Sequence, residues 1–81
     1  MSWNHRVIRR RFENPVSKGI EECFTVHEVH YDDNNQPELW TAEPVEPYGE
    51  SLEELMKDIE RFKLAFNKPV LHIVDGKLVE I

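Results

Sequence analysis

The four histidines and one cysteine are the side chains of this sequence best suited to metal or nucleophilic chemistry. His27 and His30 form an H-x-x-H pair, but the residues around them favour a β-strand. Odd offsets along a strand point to opposite faces, so this pair cannot share a metal unless the strand is bulged. The sequence therefore predicts no metal site. A site assembled across strands with His5 or His72 stays open as an alternative.

Nucleophilic and phosphate-binding motifs are also missing from the sequence. Cys23 and His27 share a strand face, but four residues along a strand span about 13 Å, which is beyond hydrogen-bonding reach. Three glycines, at 19, 49 and 76, do not build a phosphate-cradling loop. We expect no enzymatic activity and no cofactor. The alternative is a catalytic or metal site assembled from separated histidines and acidic residues.

The charge is distributed unevenly along the chain. Arg6, Arg9, Arg10 and Arg11 are the only charged residues of the first eleven apart from histidine, whereas the whole chain has a net charge of −6. An acidic body repels phosphate backbones, so nucleic acid is not an expected partner. The arginine stretch either meets an anionic partner or neutralises the protein's own acids, and the second interpretation is favoured.

Large aromatic side chains and the first strand supply the candidate partner surface. Aromatic residues contribute much of the binding energy at protein interfaces, although packing in the core is the favoured use for them in so small a protein. The predicted partner surface consists of Trp3, Arg6, Arg9, Arg10, Tyr31 and Trp40.

Five β-like segments surround these residues. Residues 3–10 alternate with a period of two, residues 23–31 are rich in β-formers, and residues 38–43 follow the turn-forming run 32–37. Asp75-Gly76 between apolar residues 70–74 and 77–81 is typical of a two-residue β-hairpin.

One helix is expected over residues 52–66. Ser51 is a good N-cap, and Glu54 completes a capping box. Apolar residues recur at helical spacing on one stripe: Leu52, Leu55, Met56, Ile59, Phe62 and Phe66. The sequence thus predicts a single α+β domain over residues 1–81, of order β-β-β-α-β-β. We expect a two-layer sandwich in which the helix covers one face of an antiparallel sheet of four or five short strands.

The composition also bears on location and assembly. No run approaches the roughly 18 apolar residues of a membrane span, and the N-terminal residues do not resemble a secretory signal. A single cysteine excludes an intramolecular disulfide, which is consistent with a reducing, cytoplasmic location. Because so small a core is thin, homodimerisation is a reasonable expectation.

Four segments resemble a group of small bacterial proteins that have no assigned function. These segments are W-N-x-R-V-I at residues 3–8, H-E-V-x-Y-D at 27–32, P-x-x-P-Y-G-E-S-x-E-E-L at 44–55 and K-P-V-L at 68–71. The run G-E-S-L-E-E at 49–54 is also similar to the start of the helix in HicB-like antitoxin domains. That similarity implies an acidic domain that neutralises a small basic RNase toxin. The preferred prediction is a non-enzymatic protein-interaction module, with the antitoxin-like inhibitor as the alternative.

Overall fold

The first two strands form a long antiparallel hairpin in the computed structural model, which describes residues 2–81. β1 spans Ser2–Glu13 and β2 spans Ile20–Tyr31, with Arg6 opposite His27 and Ile8 opposite Thr25. Both strands are longer than the predicted ones at residues 3–10 and 23–31, and only residues 14–19 connect them. The Asn14 side chain accepts hydrogen bonds from the backbone N–H groups of Val16 and Ser17 and so stabilises the tight connection.

Three shorter strands complete a five-stranded sheet. β3 spans Pro37–Trp40, β4 spans Leu71–Val74 and β5 spans Lys77–Glu80; the order across the sheet is β3-β2-β1-β4-β5. The predicted α+β class is confirmed, but the strand arrangement is not the predicted antiparallel one, because β4 pairs with β1 in parallel. The helical crossover after β3 returns the chain to the far side of β1 in the same direction, and such a connection produces a parallel pair.

The predicted hairpin at Asp75-Gly76 is confirmed. It joins β4 to β5, and both turn residues have positive φ, 51° at Asp75 and 77° at Gly76. A two-residue type I′ turn requires this backbone conformation at both positions, which explains why Asp-Gly occupies it.

The sheet curls almost into a barrel, with the edge strands β3 and β5 in contact. The hydrophobic core lies inside this curl and consists of Ile8, Val29, Tyr31, Leu71 and Leu78, with Trp40 packed against it. The two-layer sandwich is therefore corrected. The sheet encloses most of its own core instead of burying one flat face under a helix.

The helix begins where the capping residues predict. α1 spans Leu52–Lys63 and continues as a 3₁₀ turn, η1, over Leu64–Asn67. The Ser51 hydroxyl accepts a hydrogen bond from the Glu54 N–H at 3.1 Å. The Glu54 carboxylate accepts from the Glu50 N–H at 2.9 Å, one residue before the position that a standard capping box uses.

The helix covers less of the sheet than its apolar stripe predicts. No residue of α1 is buried, and only Leu55 and Phe62 among its apolar residues are half-buried. Phe62 packs on His5 with ring centroids 4.4 Å apart, and Ala65 of η1 is fully buried. Because the curled sheet already encloses the core, its outer face needs only this limited cover. Within residues 2–81, no helix is long and apolar enough to cross a membrane.

Candidate functional site

Arg6 is the only buried arginine in residues 2–81. It is 4% exposed and lies on the inner face of β1. Its Nη1 donates to the Tyr31 hydroxyl at 2.8 Å, and its Nη2 donates to the Pro69 carbonyl oxygen at 2.8 Å. The residue therefore ties β1 both to β2 and to the segment that enters β4.

A hydrogen-bonded chain of fixed polarity runs from Arg6 through Tyr31 to Asn4. The Tyr31 hydroxyl accepts from Arg6 and donates to the Asn4 Oδ1 at 2.8 Å. Since a guanidinium has no acceptor, the hydroxyl hydrogen must point to Asn4. The donor and acceptor groups of these three side chains thus fix the direction of both hydrogen bonds.

The charge of Arg6 is only partly compensated. Glu80 on β5 supplies the nearest carboxylate, but its Oε1 is 3.7 Å from Nη2, longer than the roughly 2.7–2.9 Å of a charged hydrogen bond. The Arg6 Nε is buried and has no acceptor in the described part of the chain. Burial of a charge is unfavourable unless it is paired and hydrogen-bonded, so this guanidinium has capacity for a further anionic partner.

Arg6 lines a cavity of about 580 Å³ at the open end of the curl, called here the Arg6 cavity. Its size falls within the roughly 300–1,000 Å³ of small-molecule sites. Two apolar core residues, Leu71 and Leu78, form part of the wall. The polar and aromatic residues around it include Trp3, Asn4, Tyr31, Gln36, Lys68 and Glu80.

The structure divides the predicted partner surface into three locations. Trp3, Arg6 and Tyr31 meet at the Arg6 cavity, where Trp3 is 53% exposed while the other two are buried. Arg9 and Arg10 lie further along β1 beside His72 and Ile73. Arg9 donates to the His72 Nδ1 at 3.1 Å.

Trp40, the remaining member of that predicted surface, packs against the core. Sequence reasoning missed Asn4, Lys68 and Glu80 as cavity residues. The sequence could have indicated Asn4, because it alternates with Arg6 on β1 and therefore shares its face. It could not have indicated Lys68 and Glu80, because long-range strand pairing brings them to Arg6.

The histidine pair lies as its strand position predicts, without a bulge between the two residues. His27 pairs with Arg6 on the inner face, and His30 pairs with Trp3 on the outer face. His27 is 2% exposed, with Nε2 2.8 Å from the Thr25 hydroxyl and Nδ1 2.9 Å from the Thr41 carbonyl oxygen. Both ring nitrogens therefore have internal partners. Residues 2–81 contain no group of three or more metal-ligating side chains.

A second surface feature is an apolar row on α1 that the sheet leaves exposed. Leu52 is 74% exposed, Met56 61% and Ile59 39%; these three residues are called here the helix stripe. Their spacing of four and three residues is the seam spacing of paired helices. Phe66 of η1 adds a further exposed apolar side chain, at 73%.

No family model, curated protein or solved structure matches this chain. The class of this protein is therefore described from its fold and its candidate sites. It is a small α+β protein with a mixed, strongly curled sheet, a buried arginine that lines a polar cavity, and a helix whose apolar stripe is largely uncovered.

Proposed function

We propose that this protein is a non-enzymatic protein-interaction module that pairs with a second copy through the helix stripe. The observation that supports the proposal is the exposure of Leu52, Met56 and Ile59. Scattered exposed apolar residues are ordinary on a monomer, but a contiguous apolar row is typical of an interaction site.

Charge favours a second copy as the occupant. The first turn of α1 contains Glu53 and Glu54, and its last turn contains Arg61 and Lys63. A two-fold axis perpendicular to α1 places the helices of two copies antiparallel, so the acidic end of each helix lies beside the basic end of the other. Met56 then lies opposite Ile59 of the second copy at the centre of the seam.

Substitution of Met56 tests this arrangement. In a two-fold interface the change occurs twice, and burial of each Met side chain contributes about 1.5–3 kcal/mol. Met56→Glu should therefore weaken self-association by about 3 kcal/mol or more, or over 100-fold in the dissociation constant. Sedimentation equilibrium should show twice the 9.6 kDa monomer mass for the wild type and the monomer mass for the variant.

Leu64→Glu is the matched control. Leu64 is as exposed as Met56, at 61%, but lies outside the helix stripe. It should leave the dimer intact, and circular dichroism should show both variants folded. A wild type that stays monomeric at high micromolar concentration, or equal effects of the two substitutions, contradicts pairing through this stripe.

The antitoxin-like inhibitor is the second candidate, and the acidic surroundings of the stripe favour it. Glu50, Glu53 and Glu54 flank exposed Leu52, and the whole chain has a net charge of −6. A basic protein could use this combination of apolar and acidic groups. Co-expression with the product of an adjoining short basic reading frame should then yield a salt-sensitive complex that Met56→Glu disrupts. If the two products purify separately, this candidate is rejected.

A further inference from the structure

We propose that the Arg6 cavity binds a small organic carboxylate, whose charged group meets Arg6 and Lys68 and whose apolar part lies against Leu78. This inference is independent of self-association through the helix stripe. It depends on Arg6, Lys68 and Glu80, none of which belongs to the helix stripe.

The hydrogen-bonding capacity of Arg6 is the first argument. Only two of its five N–H groups have acceptors at hydrogen-bonding distance in the described part of the chain, namely the Tyr31 hydroxyl and the Pro69 carbonyl oxygen. Both acceptors are neutral. A carboxylate is the group whose geometry best matches the remaining donors of a guanidinium.

The charge of the cavity lining is the second argument. Arg6 and Lys68 are its cations and Glu80 is its only acid, which leaves one positive charge uncompensated. A monocarboxylate would neutralise that charge, whereas a phosphate dianion would exceed it. The lining also lacks glycine, so it does not provide the backbone cradle that usually binds phosphate.

Glu80 is the third argument, because it behaves as a weak internal anion. Its carboxylate is 3.7 Å from Arg6, yet its side chain is 64% exposed. A mostly exposed side chain can rotate into solvent at little free-energy expense, so an incoming carboxylate can take its place beside the guanidinium. Removal of the Glu80 charge should therefore strengthen ligand binding.

The walls define the rest of the ligand. Leu78 and the half-buried Pro37 contribute apolar surface to the lining. The rest of the lining is mostly polar, so the lining fits a small acid that has a polar group as well as a short apolar part. N-acetyl-leucine has these properties, and its primary amide is a nearly isosteric neutral control.

Isothermal titration calorimetry tests the proposal with these two probes. The acid should bind to the full-length chain in the millimolar range or tighter, and the amide should bind at least tenfold more weakly. Hexanoate, which lacks a peptide group, distinguishes the source of the carboxylate. If hexanoate binds as well as N-acetyl-leucine, the natural ligand class is a free small acid; if only the latter binds, it is the carboxyl terminus of a peptide.

Substitution of the buried Arg6 could unfold the protein, so the test uses variants of two exposed side chains instead. Lys68→Gln should weaken acid binding about two- to fivefold, as expected for loss of a solvent-exposed charge, and Glu80→Gln should tighten it. Lys57→Gln, which removes a lysine on α1 outside the cavity, should change nothing. The proposal is overturned if the acid and the amide bind equally or if neither acid binds. It is also overturned if binding is insensitive to both cavity variants, or if inorganic phosphate binds more tightly than the acids.

Discussion

Tyr31→Phe should destabilise the fold far more than the loss of one hydroxyl suggests. The Tyr31 hydroxyl accepts from Arg6 and donates to Asn4, both at 2.8 Å, and the residue is 8% exposed. Phenylalanine fills the same space but leaves a guanidinium N–H and an amide oxygen without their partner. The packing of the ring is retained, so the change isolates the hydrogen bonds.

The size of the effect follows from the two bonds. A hydrogen bond to a charged group contributes about 1.5–3 kcal/mol, and a neutral one contributes about 0.5–1.5 kcal/mol. Asn4 is half-buried and lines the cavity, so solvent can replace part of what is lost there. We expect the free energy of unfolding to fall by about 2–3 kcal/mol. For a domain of this size, that loss corresponds to a decrease in Tm of about 10–20 °C.

Urea denaturation followed by circular dichroism measures this change, and Tyr48→Phe is the matched control. Tyr48 is 71% exposed, and no side-chain hydrogen bond of its hydroxyl occurs in residues 2–81. The control should therefore change the free energy of unfolding by less than about 0.5 kcal/mol. If both variants have the same stability as the wild type, the chain from Arg6 to Asn4 does not hold the inner face together, and the role assigned to the buried arginine is wrong.

Two further substitutions test how the helix is attached. Gly49→Ala should lower the free energy of unfolding by about 1–3 kcal/mol, because its Cβ would lie 2.7 Å from the Glu54 carbonyl carbon and 2.8 Å from the Leu55 Cα. Gly19→Ala is its control: the nearest atom there, the Ser17 Oγ, is 3.7 Å away, so thermal denaturation should show little change. Ser51→Ala should lower stability by about 1 kcal/mol through loss of the N-cap bond to Glu54, and an unchanged Tm would show that the cap is dispensable.

Local signals in the sequence predicted the elements well. Ser51 starts the helix, Asp75-Gly76 makes the tight turn, and the alternation of residues 3–10 marks the first strand. Each of these depends on backbone conformations or periodicities that neighbouring residues determine. The 3₁₀ ending of the helix and the full length of β1 and β2 were missed, because element ends depend on contacts made elsewhere in the fold.

The pairing of the strands in the sheet could not be predicted from such local signals. The parallel pairing of β1 with β4 brings Leu71 beside Ile8 across more than sixty residues, and no local pattern encodes it. The same pairing brings Lys68 and Glu80 to Arg6. Sequence reasoning could therefore place Trp3, Arg6 and Tyr31 among candidate functional residues, but it assigned them to an exposed surface, since an arginine on a strand is ordinarily solvated.

The curl of the sheet explains both candidate surfaces. Because β3 and β5 approach each other, the core closes around Ile8, Val29 and Leu71 with little help from α1. The apolar residues Leu52, Met56 and Ile59 are consequently not required to bury that core. The same closure encloses Arg6 at the end of the barrel-like interior, where apolar side chains would pack more favourably if stability were the only requirement. A buried, incompletely paired cation and an uncovered apolar helix row both lower the stability of the isolated molecule, so binding of an anion at the first and of a protein at the second would each stabilise the fold.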